Sequence, residues 1–299
     1  MRIERTIERG GREADVDRAR RQLLAGVPVS ERRLELAGVS TAVLEGGGDG
    51  PPVVLLHGQG GWAGVWLPAM AGLAGTHRVV APDLPGLGAS RATKGPPGAE
   101  TALAWLGELI DHTCATAPVV AGVSLGGSIA ARFAAAHPGR LAGLVLISMG
   151  GLVDKVRLPP RMLLALVRHN LRPSERTALA MLRQVSVDVE RARDRMGPRW
   201  EPFRAYSLAL SRSPSVRAAN RRLLRELGLP RIPPADLARI AVPTTLIWGR
   251  QDRVMPLATA EEASARYGWP LHVVEDAGHF LGMDQPEAFL AALRAALDR

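Results

Sequence analysis

A serine, a histidine and an aspartate stand in this chain where they could act together on one carbonyl group. Ser124 is centred in Gly122-Val123-Ser124-Leu125-Gly126-Gly127, the pattern Gly-x-Ser-x-Gly. The flanking glycines permit a sharp reversal from strand to helix, because a side chain at either would crowd the turn. The serine between them is held in a strained backbone conformation. A hydroxyl presented there becomes a nucleophile once a base takes its proton, and the N-terminus of the next helix favours the negative charge that develops. His279, in Asp276-Ala277-Gly278-His279-Phe280, is the candidate base. Asp252, in Trp248-Gly249-Arg250-Gln251-Asp252, is the candidate acid that orients the imidazole and stabilises its protonated form. Asp154 is the rival for the acid's place, whereas Asp276 stands too close to His279 in sequence to be its partner. The glycine-rich turn His57-Gly58-Gln59-Gly60-Gly61 lets backbone amides face an oxyanion. The candidate donors are the amides of Gln59 and of Leu125, the residue after the nucleophile. His57 itself, at the strand end before that turn, reads as structural.

A Gly-x-Ser-x-Gly pattern arises by chance in a chain of this composition with a probability of roughly one in ten, so its placement decides its meaning. It directly follows Val119 to Val123, a short apolar run that reads as a strand buried on both faces, and opens a helix from Gly126 to Ala136. Val53 to Leu56, Arg78 to Ala81, Leu144 to Ile147, Thr244 to Trp248 and Leu271 to Val274 are runs of the same kind. Helical stretches fall between them at Val65 to Leu73, Thr101 to Thr113, Leu257 to Tyr267 and Glu287 to Leu297. That alternation predicts a mainly parallel sheet wrapped by helices. The turn at His57, the elbow at Ser124 and the loops carrying Asp252 and His279 would then all leave C-terminal strand ends, the rim where open α/β sheets place ligands. Leu34 to Leu36 and Thr41 to Leu44 predict a hairpin around Gly38.

The alternation breaks once. Residues 152–235 show no convincing strand, only arginine-rich helical patterns such as Met162 to Val167 and Thr177 to Val185, interrupted by prolines. The chain therefore divides into a charged N-terminal extension (1–30, with a helix from Glu13 to Ala25), an α/β core (31–151 and 236–299) and an inserted helical cap (152–235). The net charge of +9 is concentrated in the cap, whose 18 basic and 7 acidic side chains give +11. Those arginines are not interleaved with aromatics as a nucleic-acid surface would require, and they read as a solvated helix face. The single cysteine, Cys114, excludes an intramolecular disulfide and a thiolate metal centre, and reads as a buried, inert thiol. No secretory signal or spanning segment is legible. The expectation is a cytoplasmic protein with a small-molecule substrate, no nucleic-acid or membrane partner, no metal and no cofactor, and with its oligomeric state open.

Four motifs in register, His57-Gly58-Gln59-Gly60, Asp83-Leu84-Pro85-Gly86-Leu87-Gly88-Ala89-Ser90, Gly122 to Gly127, and the Asp252/His279 pair, give the chain its resemblance to the α/β-hydrolase superfamily, in a capped form. The likeness runs from about Leu34 to Leu297, with the order Ser, Asp, His that this architecture uses. Leu87 stands where many relatives have His or Tyr, and serine at 124 argues against the branches that use Asp there, the haloalkane dehalogenases and epoxide hydrolases. The resemblance implies an α/β fold with a doubly wound, mainly parallel sheet and an inserted cap, a structural role for Asp83, and serine-based hydrolysis without a cofactor. A pocket walled by Trp62, Trp66, Val123, Leu125, Met149, Val254, Phe280 and cap side chains suggests an apolar ester or lactone. The same scaffold also hosts carbon–carbon bond hydrolases of vinylogous diketones, cofactor-free perhydrolases and small-molecule receptors that keep the triad, and motifs do not separate them.

Overall fold

Six apolar runs of four to six residues become the parallel strands of a single sheet in the computed structural model, which describes residues 15–152 and 158–298. They are β3 (Pro52–Leu56), β4 (Arg78–Pro82), β6 (Val119–Val123), β7 (Gly143–Ile147), β8 (Thr244–Gly249) and β9 (Leu271–Val274). Every residue of β3, β7 and β8 is buried, as strands covered by helices on both faces must be. With β1 (Val29–Leu36) and β2 (Val39–Gly47) at one edge, the sheet order is β1-β2-β4-β3-β6-β7-β8-β9. That antiparallel edge is a hairpin, which turns at Ala37 and Gly38, both at positive φ. The hairpin strands are longer than the apolar residues alone mark, because backbone pairing continues through Ser30 to Arg33 opposite Ala42 to Glu45. A two-residue strand, β5 (Arg91–Ala92), pairs with β2.

The helices of the core are α1 (15–24), α2 (Leu67–Leu73), α3 (Ala99–Thr113), α4 (Leu125–Ala136), α11 (Leu257–Tyr267), α12 (Leu281–Asp284) and α13 (Pro286–Leu297). A 3₁₀ turn (Ala63–Trp66) precedes α2, whose first turn holds Pro68. Between β7 and β8 the described residues form helices and no strand: α5 (Pro160–Leu171), α6 (Glu175–Val185), α7 (Val189–Met196), α8 (Trp200–Arg212), α9 (Pro214–Leu223) and α10 (Pro234–Ala238). A π turn, Leu224–Gly228, follows α9 and packs on α4. Pro234 opens α10 rather than ending a segment, since a proline at N1 loses no helical hydrogen bond. Asp154, the rival acid, lies outside the described residues, as does the start of the N-terminal extension.

The described part of that extension is built into the core. Ala19 and Leu23 of α1 are buried, and between them lies Arg20, only 6% exposed. Its guanidinium pairs with Asp83 at 3.0 Å and Glu31 at 2.9 Å, donates to the Tyr206 hydroxyl of α8 at 2.9 Å, and lies 4.6 Å above the Trp62 ring. Burial pulls the guanidinium pKa down, but Asp83, Tyr206 and Glu31 together hold it above its ordinary value. Burial also pushes the Tyr206 phenol up to about 12. One arginine therefore joins the extension, the cap and the Asp83 loop. Removing it leaves a fully buried carboxylate without its cation, which costs about 3–5 kcal/mol. Arg20→Met is therefore expected to lower the stability measured by urea unfolding by that amount, and a loss below about 1 kcal/mol would show that α1 is dispensable to the fold.

Candidate active site

Ser124 sits between the end of β6 and the first turn of α4 with φ +52° and ψ −114°, a conformation that a non-glycine residue holds only where its surroundings impose it. Those surroundings are backbone. The Ser124 N–H donates to the Ile147 carbonyl of β7 at 2.9 Å, and its carbonyl accepts the Ser128 N–H at 3.1 Å. A Cβ on Gly122 would stand 2.5 Å from the Gly126 carbonyl, and one on Gly126 would stand 2.4 Å from the Leu56 carbonyl at the end of β3. Only glycine admits both approaches. The helix end thus lies against two neighbouring strand ends, and Ser124 is left half-exposed between them.

The turn after β3 comes to the same place. A Cβ on Gly58 would be 3.2 Å from Ser124 Cβ, so the two loops are in contact. Within the turn the Gly61 N–H donates to the Gly58 carbonyl at 3.2 Å, and the Gly60 N–H donates to Asn220 Oδ1 of α9 at 3.0 Å. His57 is fully buried and holds the turn from beneath. Its Nε2 accepts the Leu84 N–H at 2.9 Å, so its proton is on Nδ1, which donates to the Gly58 carbonyl at 2.8 Å. Asp83 accepts the Ala63 and Ala89 N–H groups at 2.6 and 2.7 Å and fixes the neighbouring loop.

On the same rim His279 Nδ1 donates to Asp252 Oδ2 at 2.9 Å. The other oxygen of Asp252 accepts the Val254 and Met255 N–H groups at 2.8 and 2.9 Å. Both side chains are less than one-tenth exposed, so the carboxylate is held in one orientation and the imidazole by it. Asp284 performs a comparable task for the loop that carries His279. Its buried carboxylate accepts the Gly278 N–H at 2.8 Å, the Ser186 hydroxyl at 2.5 Å and the Val187 N–H at 3.1 Å. The Phe280 N–H donates to the Val185 carbonyl at 3.0 Å. The end of α6 is thereby fastened beside His279.

Residues 51–286 match the model of the alpha/beta hydrolase fold family. The chain belongs to that family. A pimeloyl-[acyl-carrier protein] methyl ester esterase of Aeromonas hydrophila is 29% identical over 252 residues, covering 81% of this chain and 94% of the relative. A dihydrolipoyllysine-residue acetyltransferase component of the acetoin cleaving system of Cupriavidus necator is 30% identical over 279 residues, covering 88% and 68%. The crystal structure of 2-hydroxy-6-oxo-6-phenylhexa-2,4-dienoate hydrolase from Rhodococcus superposes with a TM-score of 0.77 at 25% identity, covering 91% of this chain and 99% of that one. The protein is an α/β-fold hydrolase.

Within this hydrolase the pocket side chains expected from sequence are distributed unevenly. Val123 and Phe280 are half-exposed beside Ser124 and His279, and the Phe280 ring lies against the His279 ring. Val254 is half-buried beside Asp252. Met149 is fully buried, and its Cβ closes on Gly127. Leu125 is buried under the π turn at Gly228. Trp62 packs edge-on against Tyr206 at 4.8 Å, and Trp66 lies against Phe289 of α13 at 6.0 Å, both almost fully buried. Cys114 is half-buried at the end of α3, and burial pushes its thiol pKa up. Asn220, Asp284 and Arg20 were not legible as site-supporting residues, because their partners are brought to them only by the fold.

Burial lowers the His57 pKa below the ordinary imidazole value of 6.5, outweighing the pull of Asp83. The unfolded chain therefore binds a proton below about pH 6.5 that the folded chain refuses, and stability falls as pH drops through that value. Between pH 6.5 and 5, His57→Gln is expected to show a shallower decline in urea stability than the parent, by up to about 1.4 kcal/mol per pH unit. Parallel slopes would mean that His57 is not the neutral, buried acceptor described.

Proposed function

We propose that this hydrolase cleaves a small carboxylic ester or lactone through an acyl-enzyme formed on Ser124. The observation that carries the reading is the Asp252–His279 hydrogen bond of 2.9 Å, whose carboxylate is saturated by two further amides. It stands on the rim where a strained elbow leaves Ser124 half-exposed. With Asp252 on Nδ1, the His279 Nε2 is the free base. It takes the Ser124 proton as the hydroxyl oxygen attacks the carbonyl carbon. The amides of Gln59 and Leu125 accommodate the resulting oxyanion. The Gly60 and Gly61 amides are already engaged elsewhere, and Leu125 opens α4, where a first-turn N–H has no partner within the helix. His279 then gives its proton to the departing alkoxide, and water repeats the sequence on the acyl group to release the acid and free Ser124. Each proton moves between these residues, substrate and water, so the cycle calls for no metal or organic cofactor. Val123, Phe280 and Val254 offer an apolar wall for the acyl or alcohol group, and the Aeromonas esterase supports an ester substrate.

A carbon–carbon bond hydrolysis is the second reading, supported by the Rhodococcus neighbour. A panel of p-nitrophenyl esters, lactones and ring-fission diketones separates the two. Ser124→Ala is expected to lower kcat on the preferred substrate by on the order of 10⁶ at an unchanged thermal midpoint. Activity within tenfold of the parent would remove Ser124 from the reaction. Asp252→Asn is expected to lower kcat by about 10⁴ through the wrong imidazole tautomer, with Asp154→Asn close to the parent. The reverse ranking would move the acid to Asp154.

A further inference from the structure

Helix α5 is apolar on two opposite faces. Met162 and Ala165 point inward and are buried, as a packed amphipathic helix requires. On the far side Leu163, Leu164, Val167 and Leu171 are 51, 49, 44 and 78% exposed. At about 100° per residue these four fall within one stripe of about 100° of arc. They are four of the seven large apolar side chains that stand exposed among the described residues. The stripe is bordered on the Leu164 flank by Arg161, Arg168 and Arg172, all exposed. The partner helix α6 adds Arg176, while its Arg183 is paired with Glu190 at 2.8 Å, and the sole acid on the two helices, Glu175, is engaged by Arg204 at 2.9 Å. Two more cap arginines, Arg217 and Arg212, donate to the Asn170 and Pro173 carbonyls at the end of α5.

We propose that the α5 face docks on a lipid bilayer containing anionic lipid, with the four apolar side chains entering the headgroup boundary and the flanking arginines pairing with phosphates. An exposed apolar stripe edged with arginine is the form of a helix that lies in the membrane interface. No helix among the described residues is long and apolar enough to cross a membrane, and the sequence expectation of no membrane partner rested on that same consideration, which does not bear on surface docking. A second copy of the chain fits the face poorly with the two α5 helices antiparallel, since a twofold contact sets the same patch against itself and that arrangement puts the row of Arg161, Arg168 and Arg172 against its own copy. The position of the helix gives docking a consequence. The end of α6, which packs on α5, is hydrogen-bonded to the His279 loop through the Val185 carbonyl and through Asp284, so docking at α5 engages a helix pair fastened to that loop.

Docking stands whichever bond the site cleaves, and it is tested without turnover. The full chain is sedimented with vesicles of equimolar phosphatidylglycerol and phosphatidylcholine, and with vesicles of phosphatidylcholine alone, at about 0.1 M and 1 M salt. The expected result is partitioning at least about tenfold stronger to the anionic vesicles, weakened by salt. Leu163→Gln/Leu171→Gln and, as a milder change at the helix end, Leu171→Gln alone should reduce binding, the double variant by about tenfold or more, while the thermal midpoint and hydrolysis of a soluble ester stay unchanged. Arg168→Gln/Arg172→Gln should bind anionic vesicles more weakly and with less salt dependence. Absence of sedimentation with anionic vesicles, or equal binding by the leucine variants, overturns the proposal. So does a dimer in analytical ultracentrifugation that Leu171→Gln dissociates, which would make the face a contact between copies. Retention on polyglutamate without vesicle binding would assign it to an acidic protein and likewise overturn it.

Discussion

The first turn of α4 lies so close to the end of β3 that a Cβ on Gly126 would stand 2.4 Å from the Leu56 carbonyl, and on this backbone approach the arrangement of the site depends. If the helix stood further off, Ser124 would relax out of its positive φ and the Gly58 turn would lose its contact with the serine. The sheet makes the approach rigid: β3, β6 and β7 are adjacent and parallel, and the Ser124 N–H is fastened to β7 rather than to its own helix. Strain at one residue, of order 1–3 kcal/mol, is sustained because burial of three strands and α4 surrounds it. A side chain held this way needs little reorganisation to keep its orientation, which is the physical content of preorganisation.

Polar tethers then tie the cap to that rigid centre, each made by a side chain whose partner is distant in sequence. Asn220 of α9 holds the Gly60 amide, Asp284 holds Ser186 and Val187 at the end of α6, and Arg20 joins Tyr206 of α8 to Asp83. Two of these end on the loops that present the Gln59 amide and His279. The helices between β7 and β8 are therefore linked by hydrogen bonds to the loops that carry Gln59 and His279. Desolvation of Arg20 and Asp83, both buried, offsets much of their attraction, so the pair adds less net stability than its short contacts suggest.

What was legible in the sequence follows from how local each constraint is. Parallel strands announce themselves as short apolar runs bounded by glycine and proline, and the elbow announces itself through glycines that only a tight turn requires. The two-residue β5 left no signal, because it is defined by backbone pairing to Val39 and Ser40 alone. The segment around Arg20 reads only as a charged extension, since burial of that guanidinium depends on Asp83, which is supplied by a loop beyond β4. Trp62 and Trp66 follow the glycine-rich turn closely enough to suggest pocket walls, yet their rings pack against Tyr206 and Phe289. The arginines of α5 read as an ordinary solvated face because the exposure of Leu163, Leu164 and Val167 between them is set by how the helix packs, not by its sequence.

The central claim is that the elbow makes Ser124 the group that carries the acyl chain between two half-reactions. Rapid-quench mass spectrometry of the enzyme turning over p-nitrophenyl butyrate tests it most directly. The account predicts a burst of p-nitrophenol approaching one equivalent per chain, with one butyryl group on the peptide containing Ser124 and its decay matching steady-state turnover. An acyl group found stably on another residue, or turnover with p-nitrophenol released while Ser124 stays unmodified at every quench time with deacylation shown to be slow, would contradict it.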